Sequence, residues 1–122
     1  MKIIGIGIDS IEIYRIQILI QKYDMKIPLK ILSQKELQNF LKNKKNSYFL
    51  AKIFTAKEAF LKALGIGIKN IKSLKNLEIS HTSYGKPTIK ILNKNFFSKK
   101  YKIHLSITDT QKYAQSIVIL EA

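Results

Sequence analysis

Two carboxylates and one lysine are the main candidates for chemistry in this chain, because only eight of its 122 residues are acidic. Asp9 follows an apolar run at the N-terminus, and Glu58 and Lys62 lie four residues apart in a second apolar segment. Magnesium in proteins commonly takes one or two carboxylates, with phosphate and water completing its shell. A nearby lysine neutralises charge that develops on a departing phosphate. These residue types therefore suit phosphate chemistry.

Both acids also have a structural interpretation. Asp9 and Glu12 have the spacing of a capping box, and this local pattern by itself favours Asp9 as a helix N-cap. Glu58 precedes Lys62 by four residues, the favourable order for a helical ion pair. The surrounding helix is apolar on nearly all sides, however, and a buried carboxylate needs a partner or a metal. Both roles of Glu58 stay open at this level.

Other common sites are excluded or weakly supported. Gly5 and Gly7 do not continue into a dinucleotide-binding GxGxxG motif, because Ser10 occupies the last position, and no GxxxxGK[ST] loop exists. His81 and His104 lack zinc-ligand companions, so local pattern favours ordinary strand residues. The chain has no cysteine, which excludes disulfides and favours a reducing compartment.

The elements that position Asp9 are predicted from periodicity. Residues 2–8 alternate as a strand, with isoleucines on one face and Gly5 and Gly7 leaving the other bare for close packing. A helix is predicted over 10–22, with isoleucines at helical spacing. Asp9 would then lie where the strand ends and the helix begins.

Glu58 and Lys62 belong to the clearest predicted helix, 47–64, which Gly65 ends. Its apolar residues surround the whole helix, which is typical of a helix buried inside a larger unit. A shorter helix is predicted from Ser33, whose spacing to Glu36 forms a capping box, and it fades over 42–46.

The second half is predicted to be mostly β-structure. The predicted elements are strands at 77–81, 88–92, 102–107 and 113–120, with a short helix at 95–100. Turns are predicted at 85–87 and 109–111. Together these patterns predict one α+β domain over residues 1–122, with an antiparallel sheet and packed helices.

Charge narrows the choice of partner. The formal net charge is +14, almost all of it from lysine, and Arg15 is the only arginine. Nucleic-acid readers rely on arginine forks, so we expect acidic partners rather than nucleic acid. No stretch is long enough to span a bilayer, and Asp9 ends the first apolar run too early for a signal peptide. We therefore expect a cytoplasmic protein without a membrane partner.

Four segments in this order resemble the holo-acyl-carrier-protein synthases, the small 4′-phosphopantetheinyl transferases. The first is 5–16, which begins Gly5-Ile6-Gly7-Ile8-Asp9, and the second and most specific is 54–65, which contains Lys57-Glu58-Ala59 and Lys62-Ala63-Leu64-Gly65. The third is the turn Gly85-Lys86-Pro87, and the last is 104–109 followed by Tyr113-Ala114. The match covers essentially the full chain. It implies the fold of that family.

The resemblance also implies an activity and a site. Asp9 and Glu58 match magnesium ligands, and Lys62 matches the lysine near the transferred phosphate of coenzyme A. Glu58, directly or through water, would accept the proton of a carrier-protein serine, and adenosine 3′,5′-bisphosphate would leave. The residues that match the coenzyme A site are Lys62, Gly65, Gly85, Lys86, Pro87 and His104.

The implied partners are an acidic acyl carrier protein and two further copies of the chain. Arg15 is the best match for the carrier contact, with Lys22 and Lys26 as helpers. Family members are homotrimers with sites between subunits, which would explain an all-round apolar helix. Ile53 stands where many relatives carry arginine, so Lys52 or another lysine would have to bind the adenosine phosphate.

Two alternatives compete with this interpretation. A non-catalytic basic module that binds RNA or another polyanion explains the charge but leaves Glu58 in an apolar helix unexplained. A structural trimer that has lost activity keeps the fold, but the intact Asp9, Glu58 and Lys62 argue against it.

Overall fold

The computed structural model describes residues 1–65, 71–93 and 100–122. The helices are α1 (Ile13–Tyr23), α2 (Lys26–Ile31), α3 (Gln34–Lys42), α4 (Asn46–Leu64) and a 3-10 helix (Ile71–Asn76). The strands are β1 (Ile3–Glu12), β2 (Leu77–His81), β3 (Pro87–Ile91), β4 (Lys102–Asp109) and β5 (Tyr113–Glu121). The predicted α+β class is confirmed. Residues 95–99 of the short helix predicted at 95–100 lie outside the described residues.

Two antiparallel sheets organise the strands. The larger sheet has the order β1-β5-β4, and β2 pairs with β3 in the smaller one. Helix α4 packs across the inner face of the larger sheet, where Ala114, Val118 and Leu120 of β5 are fully buried. The core therefore lies between α4 and this sheet, because an apolar helix must be covered by another layer of the protein.

Two glycines let β1 approach α4 very closely. A Cβ atom added to Gly7 would lie 1.8 Å from the backbone oxygen of Ala59, and one added to Gly5 would lie 2.0 Å from that of Ala63. Any side chain larger than hydrogen would therefore force the strand away from the helix. The predicted close packing on the glycine face of β1 is confirmed.

The predicted boundary between the first strand and the first helix is wrong. Strand β1 continues to Glu12, because residues 9–12 pair in register with residues 116–113 of β5. Asp9 is consequently a strand residue and not an N-cap; Glu12 is the N-cap of α1, and its side chain makes no capping hydrogen bond. Pairing with β5 outweighs the local capping pattern.

The other predicted helices are close to those observed. Helix α3 begins with the predicted capping box of Ser33 and Glu36. Helix α4 begins one residue before the predicted start and ends at Gly65, which adopts the left-handed conformation with φ of 77°. Helix α2 was not predicted, because it has only six residues and contains Pro28. None of the helices in the described residues is long and apolar enough to cross a membrane.

Candidate active site

Asp9 and Lys62 meet where β1 passes over α4. Lys62 Nζ lies 3.1 Å from Asp9 Oδ1 and donates a second hydrogen bond to the backbone oxygen of Ile8, also at 3.1 Å. The close approach permitted by Gly7 brings the strand and helix within this reach. Lys62 thus pairs with Asp9, and not with Glu58 as the helical spacing alone had suggested.

Glu58 is a buried carboxylate with unsatisfied bonding capacity. The residue is only 3% exposed, and its Oε1 atom has no hydrogen-bond partner among the described residues. Burial, with a further contribution from the charge of Asp9, raises the pKa of Glu58 to about 7, and the Lys62 cation opposes that rise. A buried, orphaned acid of this kind is characteristic of functional sites.

Asp9 and Glu58 line one cavity of about 420 Å³ between β1, α1, α2 and α4. Its other polar lining residues are Ser10, Arg15 and Lys30, while the remaining wall is apolar. A pocket of this size with a few convergent polar groups suits a ligand or a partner side chain. Two acids 49 residues apart in sequence therefore share a single pocket.

The donor set at this cavity fits a magnesium ion. Asp9 and Glu58 offer hard carboxylate oxygens, and one Glu58 oxygen is free of any partner in the described residues. No group of three or more His, Cys, Asp or Glu side chains gathers anywhere in the described part of the chain. Two carboxylates leave the remaining positions to water and phosphate, which magnesium tolerates and structural zinc does not.

The residues predicted to bind coenzyme A divide between separate places. Gly85 and Pro87 line a second cavity of about 190 Å³, together with Lys52, Ile53 and His81. Lys86 is exposed in the same turn, where its backbone oxygen accepts a hydrogen bond from the Thr82 N–H at 2.9 Å.

Gly65 and His104 lie elsewhere. Gly65 is exposed at the C-terminus of α4, and His104 Nε2 on β4 lies 2.5 Å from Glu121 Oε1 on β5. Neither residue, nor the turn 85–87, lines the pocket that holds Asp9 and Glu58. Within one chain, only Lys62 of the predicted coenzyme A residues touches that site.

The three basic residues predicted to contact the carrier protein lie on α1 and at the start of α2. Arg15 lines the pocket beside Asp9, whereas Lys22 lies over the ring of Tyr23 at 5.3 Å and Lys26 is exposed. Sequence reasoning missed Lys30, which also lines the pocket. It was missed because α2 itself was not predicted.

Sequence reasoning also missed a buried ion pair next to Glu58. Lys57 Nζ lies 2.6 Å from Glu36 Oε1, and both side chains are almost completely buried. Burial lowers the pKa of Lys57, and the Glu36 carboxylate opposes the change. The available signal was a second charged residue inside the all-round apolar helix.

Comparisons with known proteins agree with the fold. Residues 5–118 match the 4′-phosphopantetheinyl transferase superfamily. A holo-[acyl-carrier-protein] synthase of Buchnera aphidicola from Cinara cedri is 46% identical over 99% of both chains. The Neisseria meningitidis holo-[acyl-carrier-protein] synthase structure superposes with a TM-score of 0.90 at 34% identity, covering 99% of this chain and 100% of that one.

A synthase structure from Bacillus anthracis, in complex with CoA (3′,5′-ADP), has a TM-score of 0.83 at 34% identity, with coverage of 98% and 97%. Such full-length similarity defines the class of protein. The chain belongs to the 4′-phosphopantetheinyl transferase superfamily, among its holo-[acyl-carrier-protein] synthases.

Proposed function

We propose that the chain transfers the 4′-phosphopantetheine arm of coenzyme A to a serine hydroxyl of an apo-acyl carrier protein, at a magnesium site formed by Asp9 and Glu58. The observation that carries this proposal is that buried Glu58, whose Oε1 atom has no partner in the described residues, lines one pocket together with Asp9. The family supplies the reaction class. The pocket supplies the residues that would perform it.

Glu58 is suited to accept the serine proton. In the metal-free chain, burial and the charge of Asp9 raise the pKa of Glu58 to about 7, so its environment makes this carboxylate more basic than an ordinary one. The serine oxygen forms a bond to the phosphorus that carries the pantetheine arm, and the bond from that phosphorus to adenosine 3′,5′-bisphosphate breaks. Lys62, which lies beside Asp9, would provide positive charge at the phosphate.

Magnesium, when bound by Asp9 and Glu58, would neutralise charge on the coenzyme A diphosphate. The Lys62 side chain can turn from Asp9 toward a phosphate when such a ligand arrives, because it is 53% exposed. Asp9 is then released to accept a cation. The Asp9–Lys62 pair would thus be the ligand-free arrangement of the site.

The adenosine end of coenzyme A is assigned to the cavity beside the β2–β3 turn. Lys52 lines this cavity next to Ile53, and it is our candidate to bind the adenosine phosphate in place of an arginine. The turn of Gly85, Lys86 and Pro87 would contact coenzyme A at the same cavity, through its backbone and through the charge of Lys86. A Helicobacter pylori synthase of similar fold, with a TM-score of 0.79, was solved in complex with coenzyme A.

We further propose a homotrimer with its active sites between subunits. Ile4, Ile6 and Ile8 form an exposed apolar row on the outer face of β1, with 48%, 60% and 64% of their surfaces exposed. Ile117 on the adjacent strand extends this row, since it pairs with Ile8. A contiguous apolar sheet face of this kind indicates a protein interface. A neighbouring copy would bring the coenzyme A residues of one chain to the Asp9–Glu58 pocket of another.

The carrier protein is proposed to dock along α1 and α2. Arg15 and Lys30 at the pocket, with Lys22 and Lys26 nearby, present positive charge to an acidic partner. The net charge of +14 would also speed encounter. A cytoplasmic location belongs to this proposal, since a cysteine-free chain suits a reducing compartment.

The experiment is a mass-spectrometric assay with coenzyme A, magnesium and an apo-acyl carrier protein. The variants Asp9→Asn and Glu58→Gln are expected to lower the rate of carrier modification by about 100-fold or more, as loss of a general base or metal ligand does. Glu12→Gln is the matched control, because Glu12 is an exposed acid on the same strand as Asp9. Wild-type rates in both site variants would refute the assigned site.

A further inference from the structure

A buried ion pair beside the proposed site has no part in the reaction described above. Lys57 Nζ contacts Glu36 Oε1 at 2.6 Å and donates to the backbone oxygens of Ile31 and Leu74, each at 2.8 Å. This gives one acceptor to every N–H of the ammonium group. The Lys57 side chain has no exposed surface. Its bonding is complete without any ligand.

Glu36 extends the network to two more segments. Its Oε1 atom also accepts from the Ser33 N–H at 2.9 Å, and its Oε2 atom accepts from the Ile79 N–H at 2.6 Å. The pair therefore joins α2, α3, α4, the 3-10 helix and β2 at one point. Of these segments, α2, α4 and the 3-10 helix also contribute residues to the lining of the pocket.

The network reaches the pocket through two of the residues it holds. Ile31 and Leu74, whose backbone oxygens bind Lys57, both line the cavity that contains Asp9 and Glu58. Lys57 immediately precedes Glu58, and successive side chains point about 100° apart around a helix. Helix α4 thus directs Lys57 to the wall of the pocket and Glu58 to its interior.

We propose that Lys57 and Glu36 are a positioning pair that holds the Ile31–Leu74 wall at a fixed distance from Glu58. The inference rests on the proposed function, because it takes this pocket as the reaction site. Lys57 and Glu36 contact neither the transferred phosphopantetheine nor the serine proton in this proposal.

Energetics favour a positioning role over simple stabilisation. Moving two charges out of water costs several kcal/mol per ion, and well-packed apolar side chains often replace such a pair without loss. Ile31 and Leu74 belong to α2 and the 3-10 helix, which have six residues each. Helices this short are not stable alone, so contacts with other elements must hold them in place. Directional hydrogen bonds from one cation to both segments fix their separation, which apolar contact alone does not.

The test removes the ion pair from the full-length chain. Lys57→Met combined with Glu36→Gln eliminates both charges, and the single amide oxygen can still accept from one of the backbone N–H groups of residues 33 and 79. The matched control is Thr55→Val with Ser116→Ala, which breaks a buried hydrogen bond of 2.8 Å between α4 and β5, and neither side chain lines the pocket. Stability, kcat, KM for coenzyme A and methyl NMR spectra of Ile31 and Leu74 are compared.

The pair variant is expected to lower kcat by about tenfold or more while KM for coenzyme A changes little, because misplacing reacting groups acts on the chemical step. The Ile31 and Leu74 methyl resonances should shift in the pair variant and not in the control. A pair variant that is less stable but retains wild-type kcat and methyl spectra would reduce the pair to a structural role and overturn the proposal.

Two further variants separate the possible failures. Lys57→Met alone removes both bonds to the wall while Glu36 keeps its two backbone N–H donors, so it serves if the double variant does not fold. A loss of kcat is expected, and wild-type kcat would again contradict the proposal. Glu58→Gln is assayed in parallel. Loss of activity there, with full activity in the pair variant, overturns only the positioning role, whereas full activity in Glu58→Gln overturns the site itself.

Discussion

Glu58 illustrates how environment, and not residue type, gives a carboxyl group its chemistry. The same side chain in water would be ionised well below neutral pH. On α4 it is buried beside Asp9, and its pKa rises to about 7. The value lies where a general base is most effective, because the group is both available and basic. The titration of Glu58 and the charge of Lys62 can therefore each be tested.

The titration of Glu58 should appear in the pH dependence of stability in metal-free protein. Its pKa is higher in the folded state, at about 7, than the ordinary value of 4.5, so the folded protein binds this proton more tightly than the unfolded chain. The free energy of unfolding should therefore fall as pH rises from 4.5 to about 7. Urea denaturation over this range measures the slope.

Glu58→Gln should remove this component of the slope, and Glu12→Gln should keep it. Direct ¹³C NMR titration of the Glu58 carboxyl should give a midpoint near the same pH. A midpoint at the ordinary value, or an unchanged slope in Glu58→Gln, would contradict the assigned environment.

Lys62 should contribute to the rate more than to stability. Its side chain is half exposed and its ion pair with Asp9 spans 3.1 Å, so such a surface pair contributes at most about 1 kcal/mol. Lys62→Met should lower kcat by about 100–1,000-fold, the cost of removing one charge-stabilising donor. Steady-state kinetics and thermal denaturation make the comparison. Lys52→Met is the useful contrast, because it should raise KM for coenzyme A with a smaller change in kcat.

The elements act by holding residues that are distant in sequence at one place. The closest approach is that of β1 and α4, where the backbone oxygens of Ala59 and Ala63 occupy the space that side chains at Gly7 and Gly5 would need. This approach sets the separation of Asp9 from Lys62. It follows that the glycines of β1 affect the site without contacting it.

Gly7→Ala should separate the strand from the helix. The added Cβ would lie 1.8 Å from a backbone oxygen, so we expect a loss of about 3 kcal/mol in unfolding free energy, at the upper end of overpacking costs. Gly85→Ala is the stability control. It has a φ of 83° with no atom within 4 Å, and left-handed strain alone should cost about 1–2 kcal/mol. Equal losses in the two variants would argue against a steric limit at β1.

The sequence was sufficient for elements that local rules determine. Helix α4, its end at Gly65 and the Ser33–Glu36 capping box were all predicted from periodicity and cap residues, and the structure confirms them. The end of β1 was not predictable in this way. Residues 9–12 satisfy a capping pattern, yet they pair with β5, which is more than 100 residues away. Local patterns contain no information on such pairing.

The candidate site was partly predictable for the same reason. Asp9, Glu58 and Lys62 were recognised by their residue types and by a family resemblance, and the structure brings all three together. Lys30 and the Lys57–Glu36 pair were missed, because their roles depend on contacts between helices. A buried charge in an apolar helix indicates that an ion-pair partner exists, but the sequence does not indicate which residue it is.

At the scale of the whole molecule, a single chain has an exposed apolar surface and two separate groups of residues proposed for one reaction. The isoleucine row of β1 is exposed, and the residues proposed for coenzyme A do not line the pocket of Asp9 and Glu58. A homotrimer would account for both features at once. Activity would then depend on assembly, even for substitutions far from any carboxylate.

Ile8→Lys should therefore weaken both assembly and activity. A lysine in the apolar row would bury a charge at each interface, and such burial is unfavourable without a partner. Analytical ultracentrifugation should show monomers, and carrier modification should fall in parallel. Leu41→Lys is the control, since Leu41 is also 64% exposed but lies at the end of α3. A fully active monomer would contradict the proposed shared sites.

The central claim is that Asp9 and Glu58 hold one divalent cation against the diphosphate of coenzyme A. Manganese can replace magnesium at oxygen sites, so the most direct measurement is the anomalous diffraction of crystals grown with manganese and coenzyme A. We predict a peak within coordination distance of a carboxylate oxygen from each of Asp9 and Glu58, with diphosphate oxygens completing the shell. A peak bound to other residues, or a diphosphate distant from both acids, would contradict the account.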